Sequence, residues 1–210
     1  MDQQPSAFYG DAVIQKVPDT TRIFFQNVKG LTHTTSQEDY RYYMSCLQGL
    51  STDIAGFSET NACWSHPHLR ADFQSAVRRS YKQSTVAFGS PTKDIDPCNS
   101  SESFQAGGNL TLITGRMTAR STGQNIVDST GLGRWSGVTI EGTGGCRLSI
   151  KTAYRVCNGS PSTAPLGSSF LREYEFLRSI KANSLNPRRQ LLSDLQLFST
   201  IFKNQVMRSY

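Results

Sequence analysis

Two polar residues close apolar runs, and their types are those that hold a hard cation. Asn27 follows Arg22–Gln26 (RIFFQ), and Glu59 follows Asp53–Ser58 (DIAGFS). A buried strand needs no polar residue at that point. In α/β sheets, however, ligand groups gather at strand ends beside the loops. An amide and a carboxylate on neighbouring strand ends meet the minimum for Mg²⁺, which prefers oxygen ligands and few protein carboxylates. The plainer alternative is that Asn27 caps a turn and Glu59 opens a helix.

Other groups are weaker candidates. His66-Pro-His68 offers two imidazoles, but only Cys63 is spaced to join them on zinc, and an exposed loop is the stronger reading. Arg188-Arg189 sits at a helix start, where cations oppose the helix dipole. That hints at an anionic partner, against a simple solvated face. Trp64 and Trp135 suit packing better than base stacking. The five cysteines are odd in number and lack C-x-x-C pairs. They read as reduced thiols of an intracellular protein, with no zinc site and no disulfide-linked partner. Asn99, Asn109 and Asn158 match the glycosylation pattern by chance on that reading.

The elements around these residues follow from periodicity. Residues 1–20 read as a tail, without the basic and apolar regions of a signal peptide, and 21–210 read as one incomplete domain. No apolar run approaches a membrane span. Arg22–Gln26, Asp53–Ser58, Val86–Phe88 and Gly107–Thr114 read as strands. Arg134–Glu141 and Cys146–Tyr154 form a hairpin around Gly142-Thr-Gly-Gly145. Helices are expected at Ser36–Leu50, opened by a capping box of Ser36 and Asp39, and at Pro67–Tyr81. Two more are expected at Phe170–Lys181 and from Pro187 onward, the last capped by Asn186. Their inward stripes are Tyr40, Tyr43, Met44 and Leu47; Leu69, Phe73 and Val77; Phe170, Tyr174, Leu177 and Ile180; and Leu191, Leu195, Phe198 and Phe202. Residues 89–106 and 156–169 read as loops. The fold class is α/β, a mixed sheet flanked by helices, with a closing strand missing from the pattern.

Composition agrees with a folded domain: 37% hydrophobic and 18% charged residues exclude a disordered chain. The net charge of +6 is uneven. Residues 1–106 carry nine Lys/Arg against eleven Asp/Glu, whereas 107–155 carry six against two and 170–210 seven against three. The second half therefore suits an anionic partner such as a phosphate backbone.

Four motifs, in order, resemble the endonuclease/exonuclease/phosphatase (deoxyribonuclease-like) family. They are Asn27-Val-Lys-Gly-Leu31, Phe57-Ser-Glu-Thr60, Gly107-Gly-Asn-Leu-Thr-Leu-Ile113 and Thr152-Ala-Tyr-Arg155. The resemblance covers residues 20–205 and implies a partial four-layered α/β sandwich. It implies hydrolysis of phosphate esters, with nucleic acid favoured as substrate by the basic second half, and Mg²⁺ or Mn²⁺ as cofactor. On this resemblance Glu59 binds the metal, Asn27 orients the metal shell or the scissile phosphate, and Tyr154 hydrogen-bonds a phosphate oxygen. Lys29 and Arg155 contact phosphate.

The chain also departs from that family. Lys29 stands where some members have an acid, and Asn61 where apurinic endonucleases have a basic residue. No Asp-x-Asn follows Tyr154; the only later Asp is Asp194, inside a helix, and the histidines (His33, His66 and His68) all precede residue 70. The chain thus resembles the N-terminal part of the domain, stopping before the later catalytic motifs, and low activity is expected of it alone. Two alternatives remain: a non-catalytic remnant of a retroelement-like endonuclease, and a nucleic-acid-binding module.

Overall fold

The computed structural model describes residues 15–31, 38–92, 94–95 and 104–207, the side chains of 200–207 left aside. The expected tail up to residue 14, the Ser36 cap, His33, Asn99 and the inward position of Phe202 lie outside the described residues or side chains.

The apolar runs assemble into one mixed sheet. Strand β1 (Ile23–Asn27) runs parallel to β2 (Ile54–Ser58), with Asn27 opposite Ser58. Strands β3 (Ser84–Gly89) and β4 (Asn109–Thr114) complete it antiparallel, in the order β1-β2-β4-β3. A second, antiparallel sheet holds β5 (Ser121–Val127), β6 (Trp135–Glu141) and β7 (Arg147–Ala153), in that order. The turn between β6 and β7 is the expected glycine hairpin, with Gly144 at φ +68°.

Helices cover both outer faces. Helix α1 (Glu38–Gly49) and helix α2 (Pro67–Ser80) bury Tyr40, Met44, Leu47, Leu69, Phe73 and Val77 against Ala55, Phe57, Leu110 and Leu112 of the first sheet. Trp64 joins this core at 2% exposure. Residues alternating with these point to the second sheet, so Ile54, Ala87 and Ile113 meet Val138, Ile140 and Ile150 between the sheets. Helix α3 (Ser169–Ser179) packs on helix α4 (Pro187–Met207), and α4 covers the second sheet through Leu191, Leu195 and Phe198 against Ile126, Trp135 and Ala153. Lys151 of β7 lies 3.3 Å from the Phe198 ring centre, and burial lowers its pKa. The order helix, sheet, sheet, helix is the four-layered α/β arrangement. Among the described residues no helix is long and apolar enough to cross a membrane.

The two sheets touch closely where small and hydroxyl residues meet. A Cβ on Gly56 would stand 2.5 Å from the Thr152 hydroxyl. The Thr111 hydroxyl donates to the Ser136 carbonyl at 3.0 Å and is hydrogen-bonded with the Thr152 hydroxyl at 2.8 Å, all three residues buried. These bonds satisfy polar groups inside an otherwise apolar interface.

Four expectations need correction. The strand β5 is absent from the sequence reading. Its residues, STGQNIV, are polar, only Ile126 is buried, and a bulge separates Ser121 from Asn125, so no alternation marks it. The inward face of α3 is displaced. Ser168 caps the helix by accepting the Leu171 N–H at 3.3 Å, Glu173 and Leu177 turn inward, and Ile180 is 55% exposed. His66 is buried, not looped into solvent, although His68 is exposed; their rings stack at 5.3 Å. Finally, the cysteines are not all reduced: Cys63 is disulfide-bonded, while Cys46, Cys146 and Cys157 are free.

Candidate active site

The parallel pairing of β1 and β2 carries on past their last residues. The Val28 N–H donates to the Ser58 carbonyl at 3.0 Å, and the Leu31 N–H to the Thr60 carbonyl at 2.7 Å. The turn after Asn27 and the turn containing Glu59 therefore lie side by side, as the strand-end reading expects. Three non-glycine residues here have left-handed backbones: Lys29 at φ +52°, Glu59 at +51° and Asn61 at +49°. Each such residue costs about 1–3 kcal/mol and persists only where its surroundings impose it.

Those surroundings are the glycine-opened start of β4. Thr60 and Asn61 donate their N–H groups to the carbonyls of Gly108 and Gly107 at 3.2 and 2.7 Å. The Asn61 side-chain oxygen accepts the Gly107 N–H at 2.9 Å. Trp64 donates its indole N–H to the Thr60 hydroxyl at 2.9 Å. The glycines permit this approach, since a Cβ on Gly108, at φ +77°, would stand 2.7 Å from the Thr60 hydroxyl. Asn61 is thus a tie between two loops, which accounts for an amide where a basic residue was the comparison.

Tyr154 comes to the same place from the second sheet. Its N–H donates to the Arg134 carbonyl at 3.0 Å, which fixes the chain just past β7. Its hydroxyl lies 3.8 Å from the Cys157 sulfur, and its side chain shares one cleft with Glu59. Burial raises the Tyr154 pKa most, and the neighbouring Glu59 carboxylate and Cys157 thiol raise it further. The phenol therefore keeps its proton and remains a donor across the physiological range. Among the described residues Glu59 has no ion-pair partner.

Glu59 and Tyr154 line an open cleft of about 290 Å³. Its other walls come from the loop after Tyr154, including Cys157 and Asn158, and from Ser168, Ser169 and Phe170 at the start of α3. Asn158 also accepts a hydrogen bond from Arg188, in the first turn of α4, at 2.8 Å. The sequence reading took this stretch only as a loop; its Ser, Pro and Gly content gives the flexibility but not the direction in which it folds. Asn27, Lys29 and Arg155 do not line the cleft. Asn27 is exposed and accepts the Lys29 N–H at 3.1 Å, so it does cap its turn, with its amide N–H group left to donate. Lys29 and Arg155 are exposed beside the two strand ends.

The residues allow a hard cation but not a protein cage. Among the described residues no group of three or more His, Cys, Asp or Glu side chains converges on one point. One carboxylate without a countercharge fits an ion that keeps most of its waters and takes phosphate oxygens, as Mg²⁺ does. Asp194 does not line the cleft and is engaged by Arg134, from which it accepts at 2.8 Å.

No family model and no curated protein matches the sequence. Among solved structures, an AP endonuclease from Leishmania major aligns with 80% of this chain at 14% identity and a TM-score of 0.47. An endonuclease/exonuclease/phosphatase family protein from Leptotrichia buccalis aligns with 80% at 10% identity and a TM-score of 0.39. An endonuclease/exonuclease/phosphatase from Beutenbergia cavernae aligns with 75% at 13% identity and a TM-score of 0.42. The chain is similar in fold to part of these proteins, spanning 52%, 62% and 42% of their respective lengths.

Proposed function

We propose that this chain carries the metal- and phosphate-binding part of a divalent-metal-dependent phosphodiesterase site of the endonuclease/exonuclease/phosphatase type, acting on nucleic acid. The observation that carries this reading is the meeting of Glu59 and the Tyr154 hydroxyl in one cleft, at adjoining strand ends. Glu59 would hold Mg²⁺ or Mn²⁺, and the Asn27 amide would orient its shell. The ion supplies charge neutralisation on the phosphoryl oxygens. Tyr154, held protonated, donates a hydrogen bond to a phosphate oxygen. The exposed Lys29 and Arg155 attract the flanking phosphates, in keeping with the basic second half of the chain.

Turnover by this chain alone should be low. Asp194 is committed to Arg134, and His66 and His68 belong to the start of α2. Among the described residues no His or Asp lines the cleft, and a missing general acid or base typically costs about 10²–10⁴-fold in rate. That engagement of Asp194 favours, as second reading, a nucleic-acid-binding module without hydrolysis.

Mn²⁺ titration of the wild type and of Glu59→Ala tests the proposal. Glu59→Ala should bind Mn²⁺ at least about tenfold more weakly, the loss of a single carboxylate contact of about 1.4 kcal/mol. Equal Mn²⁺ affinity in the two proteins would refute it. Plasmid nicking should be slow or undetectable. Brisk nicking abolished by EDTA and by Glu59→Ala would overturn the low-turnover expectation and the binding-module reading together.

A further inference from the structure

Behind the cleft wall lies a buried charged cluster that the proposed chemistry does not use. Arg134 clamps Asp128 through Nε at 2.7 Å and Nη2 at 3.1 Å, and also reaches Asp194 on α4 at 2.8 Å. The Arg134 and Asp128 side chains are 2% and 0% exposed. Burial pulls the Arg134 pKa down, but hydrogen bonds and charge from Asp128 and then Asp194 outweigh it, and the net shift is upward. Arg172 of α3 donates to the Ala106 carbonyl at 2.7 Å. The guanidinium of Arg134 is thus engaged by two carboxylates, and that of Arg172 by a backbone carbonyl, and neither is shown bonded to Glu173. Glu173, on α3, is 4% exposed. Ionised, it would add a third buried charge beside Arg134 and Asp128, and burial favours the protonated form although Arg134 and Arg172 oppose it.

Glu173 connects to the cleft through shared walls. A cavity of about 10 Å³, the lower limit for one water, is lined by Glu173, Arg172, Arg134, Asn109, Tyr154 and Ser169. Tyr154 and Ser169 also line the cleft, so they form the partition between the two spaces. Ser169 lies one helical turn before Glu173, on the same face of α3. Asn109 is 1% exposed; its amide donates to the Gly133 carbonyl at 2.9 Å, while its side-chain oxygen has no partner among the described residues. A protonated carboxyl, directly or through one water, is the kind of donor that oxygen lacks.

We propose that Glu173 is a positioning residue: protonated, it seats the first turn of α3 and Tyr154 on the inner wall of the cleft, and its ionisation loosens that wall. The groups facing it are Arg134 and Asp128 from the β5–β6 connection, Arg172 on its own helix, Asp194 of α4 through Arg134, and Tyr154 after β7. The Gly107–Asn109 segment of the first sheet adds no charge. Burial raises the Glu173 pKa to about 7, with Arg134 and Arg172 opposing and Asp128 assisting. An unfolded glutamate titrates near 4.5. Below that value both states hold the proton, and Glu173 takes nothing from stability. Between it and about 7 only the folded state does, so stability falls as pH rises, and the loss is complete above the folded pKa.

Two measurements on the full chain test this, and neither involves a metal or a phosphate, so the result stands apart from the function proposed above. Iodoacetamide labelling, resolved by peptide, gives the rate at Cys157 on the cleft wall relative to Cys146, which is also free and exposed and does not line the cleft. From about pH 6 to about pH 8 that ratio should rise severalfold in the wild type and stay flat in Glu173→Gln. The melting midpoint should fall over the same range in the wild type only. A flat ratio in the wild type, or an equal rise in Glu173→Gln, overturns the proposal. If Glu173→Gln does not fold, carboxyl carbon-13 titration of the wild type decides: a glutamate titrating near 7 is expected, and titration of every glutamate in the ordinary carboxylate range overturns it.

Discussion

Glu59 combines a left-handed backbone with a carboxylate that has no ion-pair partner among the described residues, and the two can be separated by substitution. Its φ of +51° is one that glycine adopts freely. Glu59→Gly should therefore match or exceed Glu59→Ala in stability by about 1 kcal/mol, since alanine keeps the strain of about 1–2 kcal/mol. Urea unfolding of the two variants gives the comparison, and a less stable glycine variant would show that the backbone there is not strained. At this scale the sequence was informative for a physical reason: a polar residue where an apolar run stops is visible without knowing the fold. The partners of Glu59 were less visible. Tyr154 was reached through a motif, whereas Cys157, Asn158 and Ser169 depend on the path of a loop, which no local pattern records.

The elements that carry the site are strands that glycines allow to approach one another. Gly108 is the instance beside Glu59, with Thr60 in the space a side chain would need. Gly108→Ala should cost about 2–3 kcal/mol from left-handed strain and overpacking combined. Trp64 bonds the same Thr60 hydroxyl, so its fluorescence should shift with the substitution. An unchanged emission and stability would mean the loop has room to spare. The strands with continuous apolar runs and the helices with clear stripes were legible because burial on one face imposes a period. Strand β5 was not, because an edge strand with one buried residue has no period to read. The face of α3 was misjudged for a related reason: a buried carboxyl among arginines looks, in one dimension, like a solvent-facing residue. Asn186 behaved as its type predicts, accepting the N–H groups of Arg188 and Arg189 at 3.0 and 3.2 Å.

Taken as a whole, the molecule is held together by different means in its two inner contacts. The sheets meet through apolar side chains and a small hydroxyl cluster, whereas α4 is fastened to the second sheet partly by charge. Removing the Arg134 side chain strands Asp128 at 0% exposure. Arg134→Met should lower stability by about 3–5 kcal/mol, measured by urea unfolding, and the wild-type value should respond little to added salt because the pair is out of solvent. A loss under about 1 kcal/mol would place the pair among weak surface contacts. The disulfide at Cys63 belongs to this scale too, and cysteine counting missed it because pairing depends on folded proximity and not on spacing.

The cleft that Glu59 and Tyr154 line joins the end of one sheet to the end of the other, through residues far apart in the chain. Such contacts close large loops and form slowly. Refolding should therefore restore helical signal and sheet content well before the cleft exists. A ligand for that cleft would meet no binding site until the two sheets have docked, and would act as a clock for the last stage of folding.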